Sequence, residues 1–205
     1  MYRELNTKIV YSDANYIADF SDSRKVLWTS ENVFIAKVVK NNWTYITDEP
    51  GPQQTVFDVE VIYNIKGQLS GTKKVLQIWW YDSMWTLYLP HWTTYLQEWD
   101  IYLLTTSWGE PYHILSHENG SHLISSKTDY DSRIAAVWWD QKKAEKELIK
   151  NSTKVKEFRK AYKDEIYFET YEGEKYKISS EKNAYKNLNV SEKKSLENLE
   201  NWFVK

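Results

Sequence analysis

The stretch from Thr55 to Ile65, TVFDVEVIYNI, decides the fold class because polar and apolar residues alternate along it. Its odd-numbered residues from 57 to 65 are apolar or aromatic, whereas Asp58, Glu60 and Asn64 fall on the opposite face. A period of two residues indicates a β-strand with one buried side. The stretch therefore predicts one strand of a sheet that covers a hydrophobic core.

Further short strands are predicted on both sides of this stretch. Segments rich in β-branched and aromatic residues occupy 32–40, 74–78, 86–89, 100–106, 112–116 and 121–126. Asn119-Gly120 is a strong hairpin signal and predicts that the last two segments pair with each other. No helical pattern interrupts them, and such a run of strands is typical of a small barrel or sandwich. The residues expected to supply much of the core are Phe34, Ile35, Val38, Phe57, Val59, Val61, Val75, Tyr102, Leu104 and Ile114.

Helical spacing and capping residues replace the strand pattern near residue 137. Asp140 predicts the start of a helix over 141–150, and Ser152 predicts the start of a second helix. The other elements predicted here are a hairpin of 166–171 with 175–179, turning at Glu172-Gly173, and a last helix that begins at Ser191. The strands are thus followed by a charged tail of helices and one hairpin.

Composition and charge exclude several functional classes. Lys plus Arg number 27 and Asp plus Glu number 29, which gives a net charge of −2 and a pI near 6.1. This balance argues against a duplex-DNA binder, which needs a basic face for the phosphates. Without cysteine the chain cannot form disulfides, thiolate zinc sites or a cysteine nucleophile. No apolar run reaches the roughly 18 residues of a membrane-spanning helix, and the first residues lack the pattern of a signal peptide.

Four segments resemble a group of bacterial, usually exported, small OB-fold-like proteins related to the netrin and tissue-inhibitor-of-metalloproteinase domain. They are VFIAKVVK at 33–40, FDVEVIYNIKG at 57–67, VLQIWWY at 75–81 and DIYLLTTS at 100–107. The resemblance implies an OB-like barrel and an extracellular or cell-envelope location, although the missing signal peptide makes a cytoplasmic location the alternative. Inhibitory relatives chelate a target metal through an N-terminal cysteine. This chain has none, so that mechanism is not implied.

The predicted fold class is therefore mainly β, a small OB-like antiparallel barrel followed by an α-helical tail that contains a β-hairpin. The expected divisions are a loosely ordered segment over 1–24, the barrel over 25–127, and a helical and hairpin appendage over 128–205. The resemblance specifies the fold better than the function. We expect a non-catalytic binding or interaction module without a cofactor, whose partner is a protein or a small ligand of unknown identity.

Two histidines are the weak candidates for a metal site. On a hairpin turning at Asn119-Gly120, His117 lies opposite His122, close enough for both to bind one metal ion. His113 would lie too far along the strand to join them, and Glu118 is a possible further ligand. A metal-assisted hydrolase using His117 and His122 is thus one alternative function. The simpler interpretation is that both are turn histidines without a catalytic role.

The acidic pairs and the lysines favour structural roles. Asp58 and Glu60 point outward from a strand, as on a solvated face, while Asp129 and Asp131 lie in a predicted Ser/Asp-rich loop without a partner base. A lysine-rich stretch in the tail is interleaved with glutamate, which is typical of solvated helix faces. It comprises Lys142, Lys143, Lys146, Lys150, Lys154, Lys156 and Lys160. Contact of this stretch with a membrane surface or an acidic partner is the alternative.

Tryptophan is unusually frequent in this chain. It occurs 11 times and glycine only 6 times, whereas glycine usually makes up about 7% of a globular protein. The related family has Gln-x-Gly-Gly where this chain has Gln77-Ile78-Trp79-Trp80, and Glu-Gly where it has Glu98-Trp99. Some genetic codes read UGA as tryptophan and others read it as glycine. We therefore hypothesise that many of these tryptophans are glycines in the native host.

This hypothesis makes structural predictions, because glycine adopts positive φ without steric conflict and tryptophan does not. Turns or strand ends with outward side chains, several at positive φ, are expected at Trp43, Trp85, Trp92, Trp99 and Trp108. Trp79 and Trp80 should lie where a bulge or a close backbone approach favours glycine. The alternatives are ordinary core and surface tryptophans, or an exposed aromatic platform that binds glycans or single-stranded nucleic acid.

Overall fold

The computed structural model describes residues 9–12, 21–45, 54–78, 80–81, 86–90, 93–107, 109–117, 119–164, 167–168 and 178–179. The strands in these ranges are β1 (Ile9–Ser12), β2 (Asn32–Tyr45), β3 (Gln54–Lys66), β4 (Thr72–Ile78), β5 (Trp80–Tyr81), β6 (Leu87–Pro90), β7 (Ile101–Thr106), β8 (Tyr112–His113), β9 (Ser121–Ser125), β10 (Tyr167–Phe168) and β11 (Ile178–Ser179). The helices are α1 (Ser23–Thr29), α2 (Lys127–Ala136), α3 (Gln141–Asn151) and α4 (Thr153–Lys163).

Six strands form the main sheet, in the order β8-β4-β3-β2-β7-β9. Neighbouring strands are antiparallel except β8, which runs parallel to β4. One isolated antiparallel bridge joins Thr106, at the end of β7, to Ile114, just after β8. A smaller sheet has the order β1-β6-β5. The strand-rich interpretation of 32–125 is confirmed in the described part of that range, but a mainly β chain is too narrow a description, because the fold mixes this open sheet with the helices.

A hydrophobic core lies on each face of the main sheet. The helix-side core lies between the sheet and the helices; among its buried residues are Val26, Val33, Ile35, Tyr63, Ile65, Ile101, Leu103, Tyr130, Leu148, Phe158 and Tyr162. The loop-side core covers the opposite face and consists of Phe34, Ala36, Val38, Phe57, Val59, Val75, Leu96, Tyr102, Leu104 and Ile114. Strand β7 contributes to both cores, so all six of its residues are buried. The core prediction is confirmed apart from Val61, which is half-buried.

A β-bulge changes the face that β3 presents along its length. Ile35 of β2 pairs with Tyr63, but the next residue, Ala36, pairs with Val61, so Ile62 is inserted between them. One extra residue reverses which face each later side chain occupies. As a result Tyr63 and Ile65 face the helix-side core, whereas Phe57 and Val59 face the loop-side core. The prediction that all the odd-numbered residues from 57 to 65 share one face is therefore wrong.

Capping residues set where the predicted helices begin. The Asp140 side chain accepts a hydrogen bond from the Lys143 N–H at 3.0 Å, and the Ser152 hydroxyl accepts one from the Val155 N–H at 3.3 Å. These bonds satisfy amides that lack partners within the first turn. Helices α3 and α4 thus confirm the sequence prediction. Their apolar stripes join the helix-side core instead of forming a separate one.

Two helices correct the sequence prediction. Helix α1, which was not predicted, begins after Asp22, whose side chain accepts a hydrogen bond from the Arg24 N–H at 2.9 Å. Helix α2 begins after Ser126, and it carries Asp129 and Asp131, which were predicted to lie in a loop. Helix α1 has only 7 residues and α2 buries only Tyr130, so neither shows a clear apolar stripe in the sequence.

The tail confirms one further element. Strands β10 and β11 pair antiparallel, with Tyr167 opposite Ser179 and Phe168 opposite Ile178, as predicted for a hairpin. Its predicted turn at Glu172-Gly173 and the last helix from Ser191 lie outside the described residues.

Candidate functional site

The two candidate histidines lie close together around Asn119. His117 sits in the bend that precedes β9 and is buried, while His122 lies on β9 and is half-buried. The Asn119 N–H donates to His117 Nδ1 at 3.0 Å, and Asn119 Oδ1 lies 2.7 Å from His122 Nε2. The structure therefore brings the pair together through an asparagine that bonds to both rings.

The prediction that a hairpin turning at Asn119-Gly120 brings the two histidines together is wrong. Strand β8 pairs with β4 and strand β9 pairs with β7, so the segments flanking Asn119-Gly120 do not pair with each other. Gly120 instead closes a tight bend, in which its N–H donates to the His117 carbonyl at 2.8 Å. A Cβ at Gly120 would lie 1.7 Å from the Leu115 carbonyl oxygen. His113, on β8, is exposed.

Burial keeps both imidazoles neutral. It lowers the pKa of His117 from 6.5 to about 4, with a smaller contribution from nearby His122. Burial likewise lowers the pKa of His122 to about 4, helped by the Lys154 ammonium and opposed by Glu157. Because Nδ1 of His117 accepts a hydrogen bond, its ring proton resides on Nε2. Neither ring carries a positive charge at neutral pH.

This arrangement anchors a loop more readily than it holds a metal. Asn119 already bonds to one nitrogen of each ring. Within the described ranges no group of three or more His, Asp or Glu side chains is placed to bind one metal ion, and Glu118 lies outside them. His122 also packs edge-on against Phe158 of α4, with ring centroids 5.9 Å apart. The cluster thus joins β9 to the helices.

Asp129 and Asp131 make local hydrogen bonds and ion pairs that stabilise helix α2. Asp129 accepts hydrogen bonds from the Ser125 hydroxyl at 2.5 Å and from Arg133 Nε at 2.8 Å. The Arg133 and Ser125 bonds lower the pKa of Asp129 below its ordinary value. Asp131 pairs with Lys127 one turn away at 2.5 Å. These are local contacts of an exposed helix and do not form an acid–base pair.

Asp58 and Glu60 belong to a surface that we call the charged strand face, formed by Lys37, Lys40, Asp58, Glu60 and Lys74. In the sheet Lys37 lies opposite Glu60, and Asp58 lies between Lys40 and Lys74. Lys37 pairs with Glu60 at 2.8 Å and Lys74 with Asp58 at 3.0 Å. Partial burial acts to raise the pKa of Asp58, but hydrogen bonds from Asn42 and Lys74 outweigh it and leave that pKa below its ordinary value.

A buried polar cluster that the sequence analysis did not identify fixes residues 93–100 against the sheet. Gln77 Nε2 donates to the Thr94 carbonyl at 2.6 Å, and Gln77 Oε1 accepts from the Leu96 N–H at 3.3 Å. The Tyr102 hydroxyl accepts from the Gln97 N–H at 3.1 Å and lies 3.2 Å from the Asp100 carboxylate. Burial, more than any other factor, raises the pKa of Tyr102. The available signal was Gln77, a polar residue between the apolar Leu76 and Ile78.

A groove of about 330 Å³ lies between β9 and the junction of α3 with α4. Its lining includes Leu123, Arg133 and Lys154. Arg133 pairs with Asp129 at 2.8 Å and Lys154 with Glu157 at 3.1 Å, so both cations already have carboxylate partners.

The four tryptophans whose side chains the structure describes do not form one platform. Trp28 is half-buried on α1, whereas Trp99, Trp138 and Trp139 are 46%, 92% and 75% exposed. The Asp100 carboxylate, next to Trp99, accepts from the first N–H of α2 at 2.7 Å, whereas Trp138 and Trp139 follow the other end of that helix. A helix of 10 residues is about 15 Å long, so the exposed indoles lie at opposite ends of α2.

Comparison with known proteins adds no relative. No protein-family model matches the chain, and no curated protein shows significant sequence similarity to it. Of the helices that the structure describes, none has both the length and the apolar character that crossing a membrane requires.

Proposed function

We propose that this protein is a non-catalytic binding or interaction module built on an OB-like barrel and acting at the cell envelope or outside the cell. The observation that carries the proposal is the connectivity of 101–114. Strand β7 lies beside β2, β8 runs parallel to β4, and the isolated Thr106–Ile114 bridge joins the end of β7 to the residue after β8. An OB barrel closes a three-stranded meander in this way, with a fourth strand beside the first and a fifth parallel to the third.

The charged strand face is the proposed contact surface. OB folds bind their ligands on the second and third strands, which correspond to β3 and β4. Helices cover the end of β3 that carries Tyr63 and Ile65, whereas Asp58 and Glu60 lie toward the other end. Both signs of charge alternate across this face. Such a pattern suits a protein partner with complementary charges better than the uniform negative charge of a nucleic-acid backbone.

Two observations disfavour the other functions. His117 Nδ1 accepts the Asn119 N–H and His117 Nε2 carries the ring proton, so His117 could ligate a metal only after that hydrogen bond is broken. Zinc titration by calorimetry separates the two proposals. Equal heats for wild type and His117→Ala support the non-catalytic module, whereas a binding heat that disappears in the variant supports the hydrolase.

The second observation is the separation of the exposed indoles. It disfavours an aromatic platform that binds glycans or single-stranded nucleic acid.

Site-specific cross-linking in a bacterial host tests the contact surface. A photoreactive residue at Thr72, which is exposed and lies opposite Glu60, should give a defined protein adduct. The same residue at Lys142, exposed on α3, is the control. We expect an adduct from position 72 only, weakened by Lys74→Glu. No adduct at 72, equal adducts at both positions, or an adduct indifferent to Lys74→Glu would contradict the proposal.

A further inference from the structure

Among the described residues other than glycine, only tryptophans have a left-handed backbone conformation. The non-glycine residues with positive φ there are Trp99, Trp138 and Trp139, at 73°, 56° and 67°. Asparagine and aspartate normally adopt this region most readily among non-glycine residues, whereas for bulky residues it is strained. Gly67, Gly71 and Gly109 have φ values of 85°, 67° and 87°. These tryptophans thus share the backbone conformation of the glycines.

Trp138 occupies the position after a helix at which glycine is favoured. Helix α2 ends at Ala136 with Val137 as its C-cap. The Trp138 N–H donates to the Ala135 carbonyl at 3.2 Å, and the Trp139 N–H donates to the Ile134 carbonyl at 2.9 Å. This pair of bonds defines the Schellman motif, in which the first residue past the C-cap is left-handed and usually glycine. Both indoles are exposed, so burial does not compensate for the strain.

Trp99 occupies the corresponding position of a β-turn. The Asp100 N–H donates to the Gln97 carbonyl at 3.4 Å, and Trp99 is the third residue of that turn. Glu98, the second residue, is not among those with positive φ. A negative φ followed by a positive one defines a type II turn, whose third residue is normally glycine. The Trp99 N–H donates to the Val38 carbonyl at 2.7 Å, so the neighbouring strand fixes this conformation.

We propose that positions 99, 138 and 139 are glycine in the protein that the native host makes, because that host decodes as glycine a codon translated here as tryptophan. Three separate observations agree with this. The backbone at each position is left-handed, two different glycine motifs account for that conformation at positions 99 and 138, and the chain has 11 tryptophans but only 6 glycines. The exposed indoles are then absent from the native surface and form no aromatic binding site. The native C-terminal end of α2 is a Gly-Gly link to Asp140.

Peptide mass spectrometry of the protein isolated from its native host tests the proposal. Trypsin should release residues 134–142, which contain positions 138 and 139 and end at Lys142. We expect this peptide to be lighter than the translated sequence by two tryptophan side chains, with fragment ions that place Gly-Gly between Val137 and Asp140. A fragment series containing Trp138 and Trp139 overturns the proposal.

Thermal unfolding of recombinant variants tests the physical reason independently. Relief of left-handed strain should raise the Tm of Trp99→Gly and of Trp138→Gly by about 2–4 °C each. Trp28→Gly is the matched control, because Trp28 lies inside α1 and is half-buried. We expect its Tm to fall, since glycine weakens a helix and the indole loses its packing. A Tm that is unchanged or lower in both Trp99→Gly and Trp138→Gly contradicts the strain argument.

Discussion

Acid should destabilise the fold through His117. Its ring is buried, and its Nδ1 accepts the Asn119 N–H, so the folded protein holds it neutral. In the unfolded chain its pKa is 6.5, whereas burial and, to a smaller extent, His122 lower it to about 4 in the folded state. The unfolded state therefore binds more protons between these values, and stability falls as pH falls through this window. For His117 alone, this difference in pKa between the folded and unfolded states corresponds to about 3 kcal/mol of folding stability, which is present in full above pH 6.5.

Urea unfolding at pH 7, 5.5 and 4.5, compared between wild type and His117→Asn, measures this contribution. Asparagine keeps an acceptor near the Nδ1 position but does not titrate in this range. We expect the wild-type free energy of unfolding to drop by about 2–3 kcal/mol more than that of the variant over this range. His113→Asn controls for the loss of an exposed histidine. Parallel pH dependences for wild type and His117→Asn would refute the reasoning.

Two further substitutions test the backbone and the buried polar cluster. Gly67→Ala should reduce stability by about 1–3 kcal/mol, because φ is +85° and the new Cβ would lie 2.2 Å from Asn32 Oδ1. Gly71→Ala is the control, because φ there is +67° but no atom lies within 4 Å, and its Tm should fall by less than that of Gly67→Ala. Equal decreases in Tm would contradict the predicted clash with Asn32. Gln77→Ala should reduce stability by about 1–3 kcal/mol. It should also remove the hydrogen-exchange protection of the Leu96 amide, because the Leu96 N–H donates to Gln77 Oε1. Retained protection would show that this bond does not fix residues 93–100 against the sheet.

Strong local patterns made part of the fold predictable. The alternation of 55–65 indicates a strand with one buried side, and the β-branched residues of β2 favour a strand because they pack well on a pleated sheet. Asp140 and Ser152 mark helix starts because their side chains satisfy free amides of the first turn, and the structure uses both in this way. These elements depend on neighbours within a few residues. Sequence alone is sufficient to predict them.

The elements missed by the sequence analysis depend on distant partners. Helix α2 buries only Tyr130, so its polar sequence resembles a loop, and it is held by packing and by a bond from its first N–H to Asp100. The bulge at Ile62 follows from pairing with β2. Asn119-Gly120 predicted a hairpin, but β9 pairs with β7 and the bend at His117 turns the chain away. Local turn chemistry cannot determine which strand is the partner.

The tryptophans likewise include positions that local sequence patterns predicted and positions that those patterns missed. Trp99 was expected at a turn or a strand end, as one of five tryptophans of which several were expected at positive φ, and the structure places it in a turn with a φ of 73°. Trp43 lies near the end of β2 and Trp80 lies in β5, while Trp79, Trp85, Trp92 and Trp108 lie outside the described residues. The conformations of Trp138 and Trp139 were missed because they follow the C-terminal end of α2, a helix that the sequence analysis did not predict.

The proposed barrel depends most directly on the contact between Thr106 and Ile114. The Leu115 N–H donates to the Thr105 carbonyl at 3.0 Å and the Ser107 N–H donates to the His113 carbonyl at 2.9 Å. These bonds flank a non-hydrogen-bonded antiparallel pair, in which the Cα atoms approach to about 4.5 Å. Nuclear Overhauser spectroscopy should therefore detect a strong cross-peak between the Hα protons of Thr106 and Ile114. Absence of this cross-peak in a folded sample with the β2–β7 contacts intact would contradict the OB-like connectivity and the function proposed from it.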